Sequence, residues 1–154
     1  MADMASELEA AAFRLRRAGE EDLAKELTAG MRRAVQPVPA HVREHAAEIM
    51  PKRGGYAETF TGDLDVKTAV RAGSERTDAA VTVYANTRSG SKRKMKRLDA
   101  GLLTHPLFGN REHWYTQDIT PRWFTGPCED AAPQVAAGLE QALADVGAKA
   151  EGKP

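Results

Sequence analysis

Between Ser6 and Val35 the apolar residues Leu8, Ala12, Leu15, Leu23, Leu27, Met31 and Val35 return at steps of three and four, with one interruption near Gly19. That spacing places them on one stripe of an α-helix, so the pattern predicts a long N-terminal helix over residues 6–35. Ser6 followed by Glu9 is a capping-box pattern at its start. Gly19 is expected to kink or split it, because Gly in a helix interior costs roughly 1 kcal/mol relative to Ala. Pro37 and Pro39 stop the helix. A short second helix follows over residues 39–50: Pro39 suits a first helical position, Val42, Ala46 and Ile49 share a face, and Pro51 closes it. Residues 52–61 carry Gly54-Gly55 and read as a loop.

The period then changes to two. Leu64, Val66, Thr68 and Val70 alternate with Asp65, Lys67 and Arg71, and Ala79, Val81, Val83 and Ala85 alternate with Thr82 and Tyr84. Two half-buried strands joined through Gly73-Ser74-Glu75-Arg76 are expected. Residues 87–96 are polar, basic and turn-like, a further strand is expected over 113–119, and Thr120-Pro121 marks its exit. A last helix is expected over 127–146, with Ala131, Val135, Leu139, Ala142 and Val146 as its stripe and Thr125 as its cap. Residues 147–154 read as a flexible tail. There are no internal repeats. The predicted class is α+β: one domain over 1–146, with an antiparallel sheet of three or more strands and a long N-terminal helix and a C-terminal helix packed against it.

Composition sharpens this picture in three places. A chain of 154 residues with 42% apolar residues supports one core, but aromatics are only 6%, so each ring counts individually. Lys plus Arg and Asp plus Glu balance at 22 each, so global charge attracts no nucleic acid and only a local cluster can. The single cysteine, Cys128, excludes a disulfide within the chain and a multi-cysteine zinc site, and fits a reducing compartment. The apolar runs are short and the first residues include acids, so neither a membrane span nor a secretory signal peptide is expected, and assembly in the cytoplasm is.

The candidate chemistry is sparse. His41 and His45 lie four apart on a predicted helix, but without a His-Glu-x-x-His pattern or a third ligand nearby in sequence; a solvated helix surface explains them better than a metal. His105 is held extended by Pro106, and Asp99 and Thr104 lie close in sequence, yet no motif joins them into a catalytic set. Turn formation by His105-Pro106, core plugging by Leu107 and Phe108, and a tight turn at Gly109-Asn110 are the stronger expectations. Cys128 sits at a predicted helix start, where a thiolate is favoured, but no base accompanies it; a small, partly buried residue is the better reading. Trp114, Tyr115, Trp123 and Phe124 form either a ligand box or, more simply, a core plug facing an Ala-rich helix. Any of them left exposed is a candidate subunit contact. Arg88, Lys92, Arg93, Lys94, Lys96 and Arg97 form the one acid-free basic run, interrupted by Ser89-Gly90-Ser91. It reads as a solvated loop, as a phosphate-contacting loop that reads no bases, or as a dock for an acidic surface. It has no interleaved aromatics, as a single-strand stacking platform would. No Gly-rich phosphate loop, paired-carboxylate motif or nucleophile elbow occurs, so no enzyme, cofactor or metal is expected.

One segment carries a resemblance. Leu98, a short spacer and Gly101, then His105-Pro106-Leu107-Phe108-Gly109-Asn110-Arg111, an aromatic strand with His113-Trp114-Tyr115, and Pro121-Arg122-Trp123-Phe124 before the last helix stand in this order. The order resembles the small neck, or tail-completion, proteins of long-tailed bacteriophages, the broad group that includes lambda minor tail protein Z. The likeness is close over the second half of the chain and one of layout over the first. It implies a structural virion protein at the head–tail junction: a ring, expected to be a hexamer, that joins the head-closure or connector protein to the tail terminator or tail tube protein and leaves a DNA channel. Under this resemblance His105, Pro106, Phe108, Gly109, Trp114, Trp123 and Phe124 form a structural hub. Arg88 to Arg97 contact a partner or, without specificity, passing DNA. A tail terminator subunit, a small nucleic-acid-binding module using loop 88–97, and a small hydrolase for which no residue set appears are the other readings.

Overall fold

The computed structural model describes residues 2–17, 21–74, 77–89, 95–107 and 110–152. Its elements are α1 (Ala2–Arg17), α2 (Glu21–Val35), α3 (Val38–Ile49), a 3-10 turn (Arg53–Gly55), α4 (Tyr56–Asp63), β1 (Leu64–Ser74), β2 (Thr77–Thr87), α5 (Met95–Asp99), β3 (Leu102–Leu107), β4 (Asn110–Asp118) and α6 (Thr125–Glu151). The class is α+β, as the periodicity predicts. The sheet differs from expectation: among the described residues β1 pairs only with β2 and β3 only with β4, giving two separate two-stranded antiparallel sheets where one of three or more strands was expected. Two compact units form, one from Met1–Pro37, Lys67–Val83 and Ala131–Pro154, the other from Val38–Val66 and Tyr84–Asp130.

The first unit is built on the predicted stripe. Leu8, Ala12, Leu23, Leu27 and Met31 are buried together with Ala142 and Val146 of α6, and Leu15, Leu139, Val70 and Val81 pack against them. The N-terminal helix is two elements, and Gly19, the expected break, lies outside the described residues. α1 begins at Ala2, upstream of the expected capping box, so Ser6 lies inside the helix. The α2–α6 crossing is set by two glycines. A methyl group on Gly30 would stand 2.6 Å from Cβ of Ala142, and one on Gly138 would stand 2.8 Å from Cβ of Ala34. Only a hydrogen at those positions lets the two backbones approach this closely. Glu26 on α2 and Lys149 on α6 form an ion pair across the same contact. α6 runs on through Glu151, so residues 147–151, expected to fray, are helical.

In the second unit the segment expected to be a loop, 52–61, is the 3-10 turn followed by α4. Gly54 and Gly55 take left-handed conformations (φ 72° and 71°), the αL geometry that lets the chain turn directly into a helix. α4 buries Ala57 and Phe60. α3 buries Val38, Val42 and Ala46, and Leu64 and Val66 at the start of β1 are buried as the alternation predicts. β3, not foreseen, places His105 and Pro106 inside a strand and not in a turn.

The glycine contact gives a prediction of sign. A helical Gly→Ala change ordinarily stabilises by up to about 1 kcal/mol. Gly147→Ala, where nothing lies within 4 Å of the new methyl, should follow that rule in urea unfolding. Gly30→Ala should instead lose about 1–3 kcal/mol through overpacking against Ala142.

Candidate functional site

The basic run is bordered by two carboxylates. At its entry the Ser89 N–H and hydroxyl donate to the two oxygens of Asp63, both at 2.7 Å, and the Arg88 N–H donates to the Asp63 carbonyl at 2.8 Å. Beyond it, α5 ends on Asp99. One oxygen of that side chain accepts the Phe124 and Thr125 N–H groups (2.8 and 3.2 Å) and the other accepts the Thr125 hydroxyl (2.8 Å). These are orphan donors of the α6 start, where negative charge is also favoured by the helix dipole. Thr125 is therefore itself a donor to the cap, and the capping oxygen comes from a residue distant in sequence. The Arg122 N–H donates to the Asp99 carbonyl at 2.6 Å, with Arg122 held at φ 66°. Arg88, Lys96 and Arg97 are exposed, while Lys92, Arg93 and Lys94 lie outside the described residues.

The expected aromatic hub divides in two. Trp123 is 1% exposed and meets Phe60 edge-on at 5.1 Å and Phe124 at 5.5 Å, so it is a core plug as expected. Its core partner, Phe60, comes from the segment expected to be a loop. Trp114 is 61% exposed and Tyr115 53%, which corrects their assignment to the core. The physical reason is the pairing: β4, the strand expected to join β1 and β2, pairs with β3 instead, and nearly its whole length faces solvent. His105 is half-buried, with Nδ1 3.1 Å from the Pro106 carbonyl and its ring 5.9 Å from that of Tyr115. Phe108 and Gly109 lie outside the described residues.

The β3–β4 pairing fixes which backbone groups face outward. The Ile119 N–H donates to the Gly101 carbonyl at 2.8 Å. The register then runs Leu102 opposite Asp118, Leu103 opposite Gln117, Thr104 opposite Thr116, His105 opposite Tyr115 and Pro106 opposite Trp114. Backbone polar groups of an antiparallel strand alternate sides. Counting from Ile119, Gln117 and Tyr115 turn theirs towards β3, whereas Asp118, Thr116 and Trp114 turn theirs to the open edge. The Thr104–Thr116 hydroxyl contact of 3.0 Å suits the closer spacing of a non-hydrogen-bonded pair. Pro106 falls in the same class, so its missing N–H costs the ladder nothing. Gly101 at φ 90° permits the corner; a side chain there would stand 2.9 Å from the Ile119 carbonyl. The exposed Trp114 is held in place, because its indole N–H donates to the Arg111 carbonyl at 2.9 Å.

The remaining candidates are plain. His41 is exposed and His45 half-buried, and among the described residues no three His, Cys, Asp or Glu side chains cluster as a metal site. An open depression is lined by Ala47, Lys52, Gly55, Ala57, Glu58 and Thr61, and the Thr61 hydroxyl donates to the carbonyl of Ala57 in the preceding helical turn at 2.8 Å. Cys128 is half-buried, and burial, then the charges of Asp99 and Glu129, push its thiol above the ordinary range. Burial and the two carboxylates outweigh the helix start that would favour a thiolate. Among the described residues no helix is long and apolar enough to cross a membrane. Compared with protein-family models, curated proteins and solved structures, the chain matches none.

Asp99 joins two of these observations. Asp99→Ala should destabilise the fold by about 0.5–2 kcal/mol through the lost cap, measured by urea unfolding. The same change removes a negative charge that disfavours the Cys128 thiolate, so alkylation by iodoacetamide should accelerate at fixed pH and its midpoint should move to lower pH.

Proposed function

We propose that this chain is a structural subunit of the head–tail junction of a tailed bacteriophage, a neck or tail-completion protein that works by assembly and not by catalysis. Two things support the reading. The segment from Arg97 to Phe124 resembles that family in the order of its motifs, and the same segment is where the fold presents its most exposed aromatic surface. The exposed strand β4 of the β3–β4 hairpin is the observation that carries the proposal. An isolated two-stranded hairpin is marginal in water, and Trp114 and Tyr115, one on each face of the strand, are residue types favoured at interface centres. In the proposed role several copies close a heterologous ring, expected to be sixfold, between the head connector and the tail. The hairpin meets a neighbour, and the basic segment faces an acidic partner or passing DNA.

A nucleic-acid-binding module is the second reading. Arg88, Lys96 and Arg97 favour it: they are exposed, and Ser89 beside Arg88 is held by Asp63. Such a site would neutralise phosphates without reading bases.

Electron microscopy of the purified chain, paired with a duplex-DNA titration, separates the two. The neck reading expects ring particles with a central opening and little binding of free DNA. A monomer that binds duplex DNA and loses affinity steeply between about 50 and 200 mM salt would replace it with the binding module. Within its phage, changing Arg88, Lys92, Arg93, Lys94, Lys96 and Arg97 to Ser should leave filled heads and finished tails unjoined. Normal joining would remove the basic segment from the mechanism.

A further inference from the structure

We infer that the outer edge of β4 is a self-pairing edge: two copies of this chain join antiparallel through residues 114–118, with Thr116 of each on a twofold axis, into the four-stranded sheet β3–β4–β4–β3. This contact is isologous, distinct from the heterologous contact of a ring, and stands whether or not the neck reading does.

The argument begins with the open groups. Trp114, Thr116 and Asp118 turn their N–H and C=O groups away from β3, and all three residues are exposed. Among the described residues no strand pairs with that edge. At its far end the Glu112 N–H is taken by the Asn110 side chain at 2.9 Å. The available donors and acceptors are therefore those of 114, 116 and 118, an odd set symmetric about Thr116. An antiparallel copy centred there satisfies all of them: Trp114 bonds Asp118 of the second copy in both directions, Thr116 bonds its own counterpart, and Asp118 bonds Trp114.

Side chains select the same register. With Thr116 at the centre, Asp118 faces Trp114 and Gln117 faces Tyr115, so no like charges are opposed. Shifting the centre to Tyr115 sets Glu112 against Asp118, a repulsive cross-strand pair. Shifting it to Trp114 asks for the Glu112 N–H that Asn110 already holds. A second copy is thus complementary to the edge in both hydrogen bonds and charge.

The opposite edge explains why pairing stops at two. On β3 the outward-facing positions are Leu102, Thr104 and Pro106, and Pro106 has no N–H to offer. Proline on an edge blocks sheet extension. The pair then presents Pro106 at both outer edges and closes. It also doubles a two-stranded sheet to four strands, past the three that independent stability needs.

The test is cross-linking of the full-length chain in a Cys128→Ser background. Opposed residues of a hydrogen-bonded pair stand about 5.5 Å apart at Cα, inside disulfide range. Thr116→Cys should form an intermolecular disulfide under mild oxidation, and Gln117→Cys, which faces Tyr115 and not itself, should not. Analytical ultracentrifugation supplies the second arm. The unmodified chain should show twofold association, as a dimer or as paired rings, that weakens at least tenfold in Thr116→Pro, which removes an outward N–H but no β3–β4 bond. Trp114→Glu, facing Asp118, should also weaken it, and Trp114→Glu with Asp118→Lys should restore it. A monomer at every concentration up to the millimolar range, equal cross-linking at 116 and 117, or failure of the double change to restore pairing would overturn the inference.

Discussion

The second unit depends on a corner of three residues. Asp99 ends α5 and caps α6, while Gly101 opens β3 and accepts the Ile119 N–H. One short stretch of backbone thereby fixes where the last helix starts and which groups β4 turns outward. The cap is charge-assisted on donors that would otherwise be unsatisfied at a helix start. The glycine is required by conformation and by space together, since it sits at positive φ against a carbonyl. Change either, and both the seat of Trp123 and the parity of the hairpin are disturbed.

Helices and their buried stripes were readable in the sequence because a period of three to four survives any tertiary arrangement. Leu8, Leu27, Met31, Val42 and Val146 are buried as their spacing requires. The β1 alternation was readable for the same reason. α4 was not, because Gly54-Gly55 resembles loop punctuation whether it breaks structure or turns the chain into a new helix. β3 was hidden by His105-Pro106, which reads locally as a turn. A proline is compatible with a strand when its N faces outward, and that depends on a register no local pattern encodes.

The same limit applies to the candidate site. Aromatic residues near a final helix were expected to be core, and the expectation holds for Trp123, whose partner Phe60 lies far away in sequence. It fails for Trp114 and Tyr115 because the expected strand forms as β4 but pairs with β3 instead of joining β1 and β2, and its residues are left exposed. The anchors Asp63 and Asp99 gave no motif, since each acts on residues some 25 positions away. The basic run was legible as charge; that Asp63 holds Ser89 at its entry was not legible.

The chain has two tryptophans, and their surroundings differ about as much as one protein allows: Trp123 sits in a ring cluster at 1% exposure and Trp114 stands in water at 61%. Their indole emission should therefore separate into a blue, shielded component and a red, quencher-accessible one. Whatever settles on the hairpin changes the second and leaves the first as an internal standard, so this polypeptide carries its own ratiometric fluorophore for any event at that arm.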